Sequence, residues 1–495
     1  MTLSLPRTAL PLIIGITSGY ALSGVVAPVV WSAALVVAVA LSFLLRGNGT
    51  AQCLFIYIAA FFLGSFLVTI RLKETALCLP DGYVDYEAVV VNEPTEHEKT
   101  VGCDIIITSS QRQIKAKAYI RKDEYARRLH AGSGIRASSR LQTSRNDADS
   151  YSLYLLSHGI AARTFVESRH WQEAAVDGKK LTLLQRARLS ALRLRHHLLE
   201  QYAAWGLEEQ SLAVVSALTL GDKSLLTDST RADYSRAGAS HILALSGMHL
   251  TIIYGIILVV VGKRRRNPTV AIATTLSLWA FAFITGMSPS ITRAALMLTI
   301  FTFCDMLNRG RLSLNALALA AMVMLTISPL SLYDVGFQLS FMAMLSITLL
   351  LGPVMSVVPV ALMRYRLPGY IVSAVILSVT AQIGTFPLVA YYFGNNPVYA
   401  LLSNLLVVIC ATVILYGAVL FFIVSPLLVL RCIVADGLRF AADTMNAGVE
   451  KIASLPGADA LSFSPDRMQV VLIYLMMFAV YLLCRFMRHT LAVRA

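Results

Sequence analysis

The sequence predicts a mostly α, polytopic membrane protein that carries a small inserted β-barrel of OB-like type outside the cytoplasm. Three observations lead there. Apolar runs long enough to cross a bilayer recur along the chain, first between residues 8 and 70 and again from residue 250 to 484. Hydrophobic residues make up 57% of the chain and charged ones 14%, with a mean hydropathy of +0.67, which excludes a set of soluble domains. Residues 74–180 break this pattern: they turn polar and run in short segments of period two, the mark of half-buried strands. The chain divides accordingly into N-terminal transmembrane helices (1–73), the barrel (74–180), a basic amphipathic helix (181–206) and a membrane core (207–490).

Residues 8–30, 31–45 and 51–70 read as three spans, the first two crowded and interrupted by Gly15, Gly19, Gly24 and Pro28. The first imitates a signal peptide ending in small residues near Ala27. Two more spans follow at once, so an uncleaved anchor is the better reading. Arg7 and Arg46 flank one side, and short cytoplasmic loops collect Lys and Arg, which places residues 71–180 outside. Arg71 and Lys73 at the exit run against that assignment.

In the polar insert, YEAVVV, DIIITSS, IKAKAYI and GIRASSRL are strand-like, and four or five short strands suit a small closed barrel. Basic residues crowd its middle: Arg112, Lys115, Lys117, Arg121, Lys122, Arg127, Arg128, Arg136, Arg140 and Arg145, with Asp123 and Glu124 the acids among them. Tyr119 and Tyr125 lie within the same stretch. Positive charge for phosphates and rings for bases suit a single-stranded nucleic acid, while an ordinary solvated face carries the same residues. The whole chain is also basic, with 42 Lys and Arg against 28 Asp and Glu, a surplus that suits anionic lipid or a polyanion.

From residue 181 to Trp205, leucines alternate with Arg186, Arg188, Arg193, Arg195, His196 and His197, which predicts a helix lying in the interface plane with its cationic side toward lipid headgroups. His196 and His197 are adjacent and lack zinc-site spacing. Residues 208–220 are too short to span and read as a half-buried helix ended by Gly221, with Asp222 and Lys223 at its exit.

The stretch SRAGASHILALSGMHLT (235–251) leads into an apolar run, and it places His241, Ser246 and His249 on one expected helix. Polar groups at that depth are costly unless they serve a pathway or a partner. Residues 263–266, four consecutive basic side chains, mark a cytoplasmic end. Ser288-Pro289 then reads as a cap followed by a first-turn proline, with Arg293 one turn further on. Arg293 must face a cavity, a partner or the interface. It is the best single candidate for meeting phosphates, snorkelling being the plain alternative.

Asp334 and Gln338 are four apart in a predicted helix, on one face, with Gly336 for close packing. Asp334 either complements the helix dipole or pairs with Arg293 or Lys223. Gln382 and Pro387 fall in a kinked span over 370–393, and Asn404 sits in another over 397–424. An amphipathic stretch (431–455) and a last span (468–484) close the core. Arg485, Arg488 and Arg494 ask for a cytoplasmic end, which the count of crossings does not supply unless 431–455 enters the membrane.

Taken together, LGDKSLL, the 235–251 stretch, GMSPSITRAALM and DVGFQLSF, in that order, resemble the ComEC family of competence proteins, inner-membrane channels that import single-stranded DNA. The resemblance implies an OB-like domain on the periplasmic or extracellular side and single-stranded DNA and membrane lipid as partners. It further implies an ATP-driven cytoplasmic translocase or helicase, a periplasmic DNA receptor with uptake pilus machinery, and cytoplasmic single-strand binding proteins. An oxidising location would allow Cys78 to pair with Cys103, the two cysteines of the insert; two unpaired thiols is the alternative. No metal or cofactor is implied. The HxHxDH-type motif of the metallo-β-lactamase-like domain found in many family members is missing from this sequence.

The expected function is a passive channel for one DNA strand. Asp222, Lys223, His241, Ser246, His249, Arg293, Asp334, Gln338, Gln382 and Asn404 would line its path, and Arg112, Lys115, Lys117, Tyr119, Arg121, Lys122, Arg127 and Arg128 would bind DNA on the barrel. The run GIILVVVGKR lacks the spacing of a phosphate loop, so no motor is encoded. An intramembrane hydrolase using Ser246 and His249 is a weaker reading, because residues one turn apart on a helix rarely align for proton transfer. A small-molecule transporter is weaker still, since the sequence shows no inverted repeat.

Overall fold

The computed structural model describes residues 5–75, 82–109, 113–143, 150–175, 180–207, 209–307, 314–359, 363–394, 397–457 and 463–494. Among these, five helices are long and apolar enough to cross a membrane: Gly49–Thr75, Val335–Met355, Pro368–Phe393, Ala400–Ile423 and Arg467–Met487. The protein is a multi-pass membrane protein with a small barrel near its N-terminus.

The chain opens with α1 (Leu5–Ala21), α2 (Pro28–Leu44) and α3 (Gly49–Thr75). The first span therefore ends well before residue 30, because Pro28 takes the first position of α2 and cannot extend a preceding helix. Gly15 and Gly19 are not interruptions. A Cβ on Gly15 would clash with the Phe61 carbonyl oxygen, and one on Gly64 with that of Leu12. The α1 and α3 backbones touch there, and Ser65 Oγ donates across the contact to the Gly15 carbonyl at 2.9 Å.

The barrel comprises β1 (Tyr83–Val90), β2 (Thr95–Glu96), β3 (Thr100–Ile107), β4 (Ile114–Arg121), α4 (Glu124–Arg127), β5 (Gly134–Thr143), α5 (Ser150–Ser157), β6 (Ala162–Val166) and β7 (Trp171–Glu173). Strand order β1-β3-β4-β6-β5, with β5 returning to β1, closes five strands, and β4–β6 is a parallel pair among antiparallel ones. This is the Greek-key closure of the OB type. Alternation on β4 sends Ala116, Ala118 and Ile120 inward and leaves Lys115, Lys117, Tyr119 and Arg121 outside. Ile105, Ile107, Ile135 and Val166 help fill the core, where Tyr86, Ser139 and Thr164 form a closed hydroxyl chain of 2.8 and 2.6 Å.

Then comes α6 (Leu183–Ala204), opened by a capping box between Thr182 and Gln185. Part of its apolar side rests on the barrel. Leu189 and Leu192 pack against Val89, Val91 and Ile106 of the barrel, and the buried Arg195 reaches Glu93 at 3.5 Å. The barrel wall thus covers Leu189 and Leu192, while Leu183, Leu184 and Leu194 stay exposed.

The remaining helices are α7 (Glu209–Thr219), α8 (Asp228–Arg236), α9 (Ser240–Leu243), α10 (Gly247–Val261), α11 (Pro268–Ile284), α12 (Pro289–Met306), α13 (Leu314–Ile327), α14 (Val335–Met355), α15 (Arg366–Phe393), α16 (Ala400–Ile423), α17 (Leu428–Ala453) and α18 (Arg467–Arg494). They fall into two compact units. The first holds Met1–Leu226, Leu245–Phe337 and Ile414–Arg439, and the second holds Thr227–Ala244, Gln338–Val413 and Phe440–Ala495. In the first, α7 is buried through Val214, Val215, Ala217 and Leu218, as a half-length helix must be. In the second, Gly384 lets α15 cross α14 closely: a Cβ there would lie 2.6 Å from the Met342 carbonyl oxygen.

Candidate functional site

In the first unit, the candidate site starts at α12. Ser288 holds the cap position and Pro289 the first turn, as their order dictates, and Arg293 follows at 9% exposure. Its Nη1 lies 3.2 Å from Asp334 Oδ1. Of the two cations offered as partners for Asp334, Arg293 is the one in contact. Asp334 is not in an early helical turn: it follows a 3-10 turn (Pro329–Tyr333) and caps α14, its Oδ1 accepting the Phe337 N–H at 2.8 Å. A Cβ on Gly336 would lie 2.5 Å from Arg293 Nη2, so the glycine makes room for the guanidinium. Arg293 is thus buried and engaged with a carboxylate rather than bare toward a passage.

Ser246 and His249 also change place relative to expectation. The chain breaks at Ala244, which is extended (ψ 125°), so His241 sits exposed on α9 in the second unit and does not share the helix of the other two. Ser246 is the cap residue of α10, and fully buried His249 is three residues in. The His249 Nδ1 accepts the Ser246 backbone N–H at 3.1 Å and lies 3.1 Å from Ser246 Oγ. The two side chains do meet, but the nitrogen lone pair is directed at a backbone donor, which is what closing a helix start requires. Asp222 completes a turn after Gly221 (φ 77°), accepting from Ser224 N and Oγ at 2.8 and 2.6 Å, and Lys223 is exposed beside it.

In the second unit, Gln338 Oε1 accepts from Tyr392 Oη at 2.9 Å. Gln382 and Asn404 converge: each side-chain amide donates to Ser378 Oγ at 3.3 Å. Asn404 Oδ1 is buried without a hydrogen-bond partner. Ser378 joins two helices, and a lone serine in an apolar run gave no sign of it.

On the barrel, tertiary structure brings acids to the basic stretch. Asp104 takes Lys117 at 3.0 Å and Lys115 at 3.4 Å, Glu96 takes Lys122 at 2.7 Å and Arg127 at 3.8 Å, and Glu124 takes Arg128 at 2.6 Å. Burial works to raise the Asp104 carboxyl, yet Lys115 and Lys117 outweigh it and hold it below the usual carboxylate range. Arg121 remains exposed, and Arg112 lies outside the described residues. A cavity of about 120 Å³ between barrel and α6 is lined by Val91, Ile106, Lys115, Gln185, Arg188 and Leu189. Cys103 is a fully buried free thiol, pushed up to about 12 by burial, and Cys78 lies outside the described residues.

A model of the competence protein family matches residues 218–487, more than half of the chain. This chain belongs to that family. The competence-type core so defined runs from the end of α7 into α18 and contains four of the five membrane candidates named above, all but Gly49–Thr75. The chain is similar to ComE operon protein 3 of Bacillus subtilis (strain 168), 27% identical over 242 residues, which is 48% of this chain and 30% of that relative. The match thus spans less than a third of the relative's length. No solved structure matches this competence protein.

Sequence reasoning missed three features of the site. Ser378 is one, and Gly336, offered for helix packing, in fact accommodates a guanidinium. The third is Arg431, whose guanidinium lies 3.8 Å over the Trp205 ring and 4.8 Å from the Phe421 ring. The signal for it was present as an arginine in an apolar stretch, the same anomaly that singled out Arg293.

Proposed function

We propose that the protein conducts a single DNA strand across the inner membrane during natural transformation, as a passive channel without enzymatic activity of its own. The match of residues 218–487 to the competence family carries this reading. A polyanion has no cheap route through hydrocarbon, so its conduit needs wet polar groups within packed helices. Ser246 and Gln338 keep partial exposure and suit that role, while His249 and Asp334 are sealed in helix contacts. The latter two hold the walls in this proposal. The barrel would stand on the outer side and the basic residues 263–266 on the cytoplasmic side. An ATP-driven partner would pull, with an outer receptor and pilus delivering DNA and single-strand binding proteins receiving it.

The test uses cells lacking the chromosomal copy, complemented with the wild-type chain and supplied with labelled donor DNA. Label should reach the cytoplasm as single strands only in complemented cells. Equal cytoplasmic label without the protein would end the proposal. Phosphatase fusions after residues 140 and 265 check orientation, the first expected active and the second inactive.

The contact between Ser246 Oγ and His249 Nδ1 favours a second reading, an intramembrane hydrolase. It predicts that Ser246→Ala abolishes a cleavage product while Ser246→Thr preserves it. On the channel reading neither variant changes a cleavage product, and both act through the start of α10 and the polar lining there.

A further inference from the structure

The sequence drew attention to the basic stretch, and beside it stands a group of exposed aromatic rings on α5 and β6. Tyr151 and Tyr154 project from α5, which connects β5 to β6, and remain 39% and 48% exposed. Their rings are 6.1 Å apart and within 16° of parallel. Tyr119 on β4 joins the row through a 2.6 Å hydroxyl contact with Tyr151. Phe165, 55% exposed, stands beside Tyr119 in the β4–β6 register, and Lys117 stands beside Arg163 in the next outward row. Lys117 and Arg163 both act electrostatically on the Tyr151 hydroxyl, so cationic groups border the rings.

Half-exposed parallel rings beside two cations are poorly explained as core packing. Stacked aromatics and adjacent positive charge are instead what an unpaired strand engages, its bases on the rings and its phosphates on the cations. The same helix packs on the turn Pro329–Tyr333, directly ahead of Asp334. A strand lying along α5 would leave the barrel at the turn that Arg293 braces.

We propose that the Tyr119–Tyr151–Tyr154 row on α5 and β4 is a base-stacking surface that passes single-stranded DNA from the barrel to the membrane core. This rests on the DNA reading above and adds the place of transfer. Stacking requires flat rings and tolerates loss of the hydroxyls, so phenylalanine should substitute for tyrosine and alanine should not.

The experiment uses the full chain in detergent, with an oligothymidylate of about 20 nucleotides and an abasic strand carrying the same number of phosphates. Wild type should prefer the base-bearing strand by roughly tenfold or more. The double variant Tyr151→Ala/Tyr154→Ala should lose that preference while keeping its affinity for the abasic strand, and Tyr151→Phe/Tyr154→Phe should keep both. An alanine variant that retains the preference overturns the stacking surface and leaves DNA binding intact. A wild-type protein that binds neither strand overturns the DNA reading as well. Photo-crosslinking of wild type with a bromouracil-substituted strand guards against misfolded variants: adducts should map to residues 151–165, and adducts confined elsewhere on the chain overturn the proposal.

Discussion

Arg293 Nη1 and Asp334 Oδ1 are 3.2 Å apart, with both side chains 10% exposed, and they tie the second turn of α12 to the cap of α14. A charge left in such a place without its partner must be neutralised, hydrated or expelled. The pair therefore fixes Arg293 of α12 to the start of α14.

Arg293→Met should destabilise the protein by about 3–5 kcal/mol, because it strands a buried carboxylate. Asp334→Asn keeps the cap and removes the charge. The double variant Arg293→Met/Asp334→Asn should recover much of the loss, giving a large coupling in a cycle of thermal melts in detergent. Additive single effects would show that the two side chains stabilise independently.

Gly64→Val should disrupt the α1–α3 contact, since even a Cβ would run into the Leu12 carbonyl oxygen, which cannot rotate away. Overpacking typically costs roughly 1–3 kcal/mol, and contact with backbone puts this variant at the upper end. Gly24→Ala, where nothing lies within 4 Å of the added carbon, should leave the melting curve unchanged.

The barrel should weaken in acid through Asp104. Its folded carboxyl lies below the ordinary range because Lys115 and Lys117 outweigh the effect of burial. The stability it contributes is present above the unfolded carboxylate pKa of about 3.9 and is lost as pH falls through the lower folded value. Asp104→Asn should reduce stability at pH 7 and flatten the acid limb of a melting-temperature profile between about pH 5 and 2. An unchanged limb would exclude Asp104 as a source of the acid sensitivity.

Ser378→Ala should cost about 1–3 kcal/mol, since it removes the shared acceptor of two amides in the membrane core. Asn404→Leu should cost less, because the oxygen it removes already lacks a partner. If the two variants melt together, the convergence at Ser378 contributes little.

Much of this architecture was written in hydropathy and period. Those signals place apolar runs in helices, alternating runs in strands, and Pro289 at a helix start, because each depends on residues near one another in the chain. Strand β6 was missed, since ARTFV is short and acquires its identity only by parallel pairing with β4. The tertiary structure alone decided which charges stay uncovered. Asp104 and Glu96 reach the basic stretch across strands, α6 sets Leu189 and Leu192 on the barrel, and Asp334 pairs with Arg293. Coulomb attraction and burial act through space, so partners far apart in sequence are settled only when the chain has closed on itself.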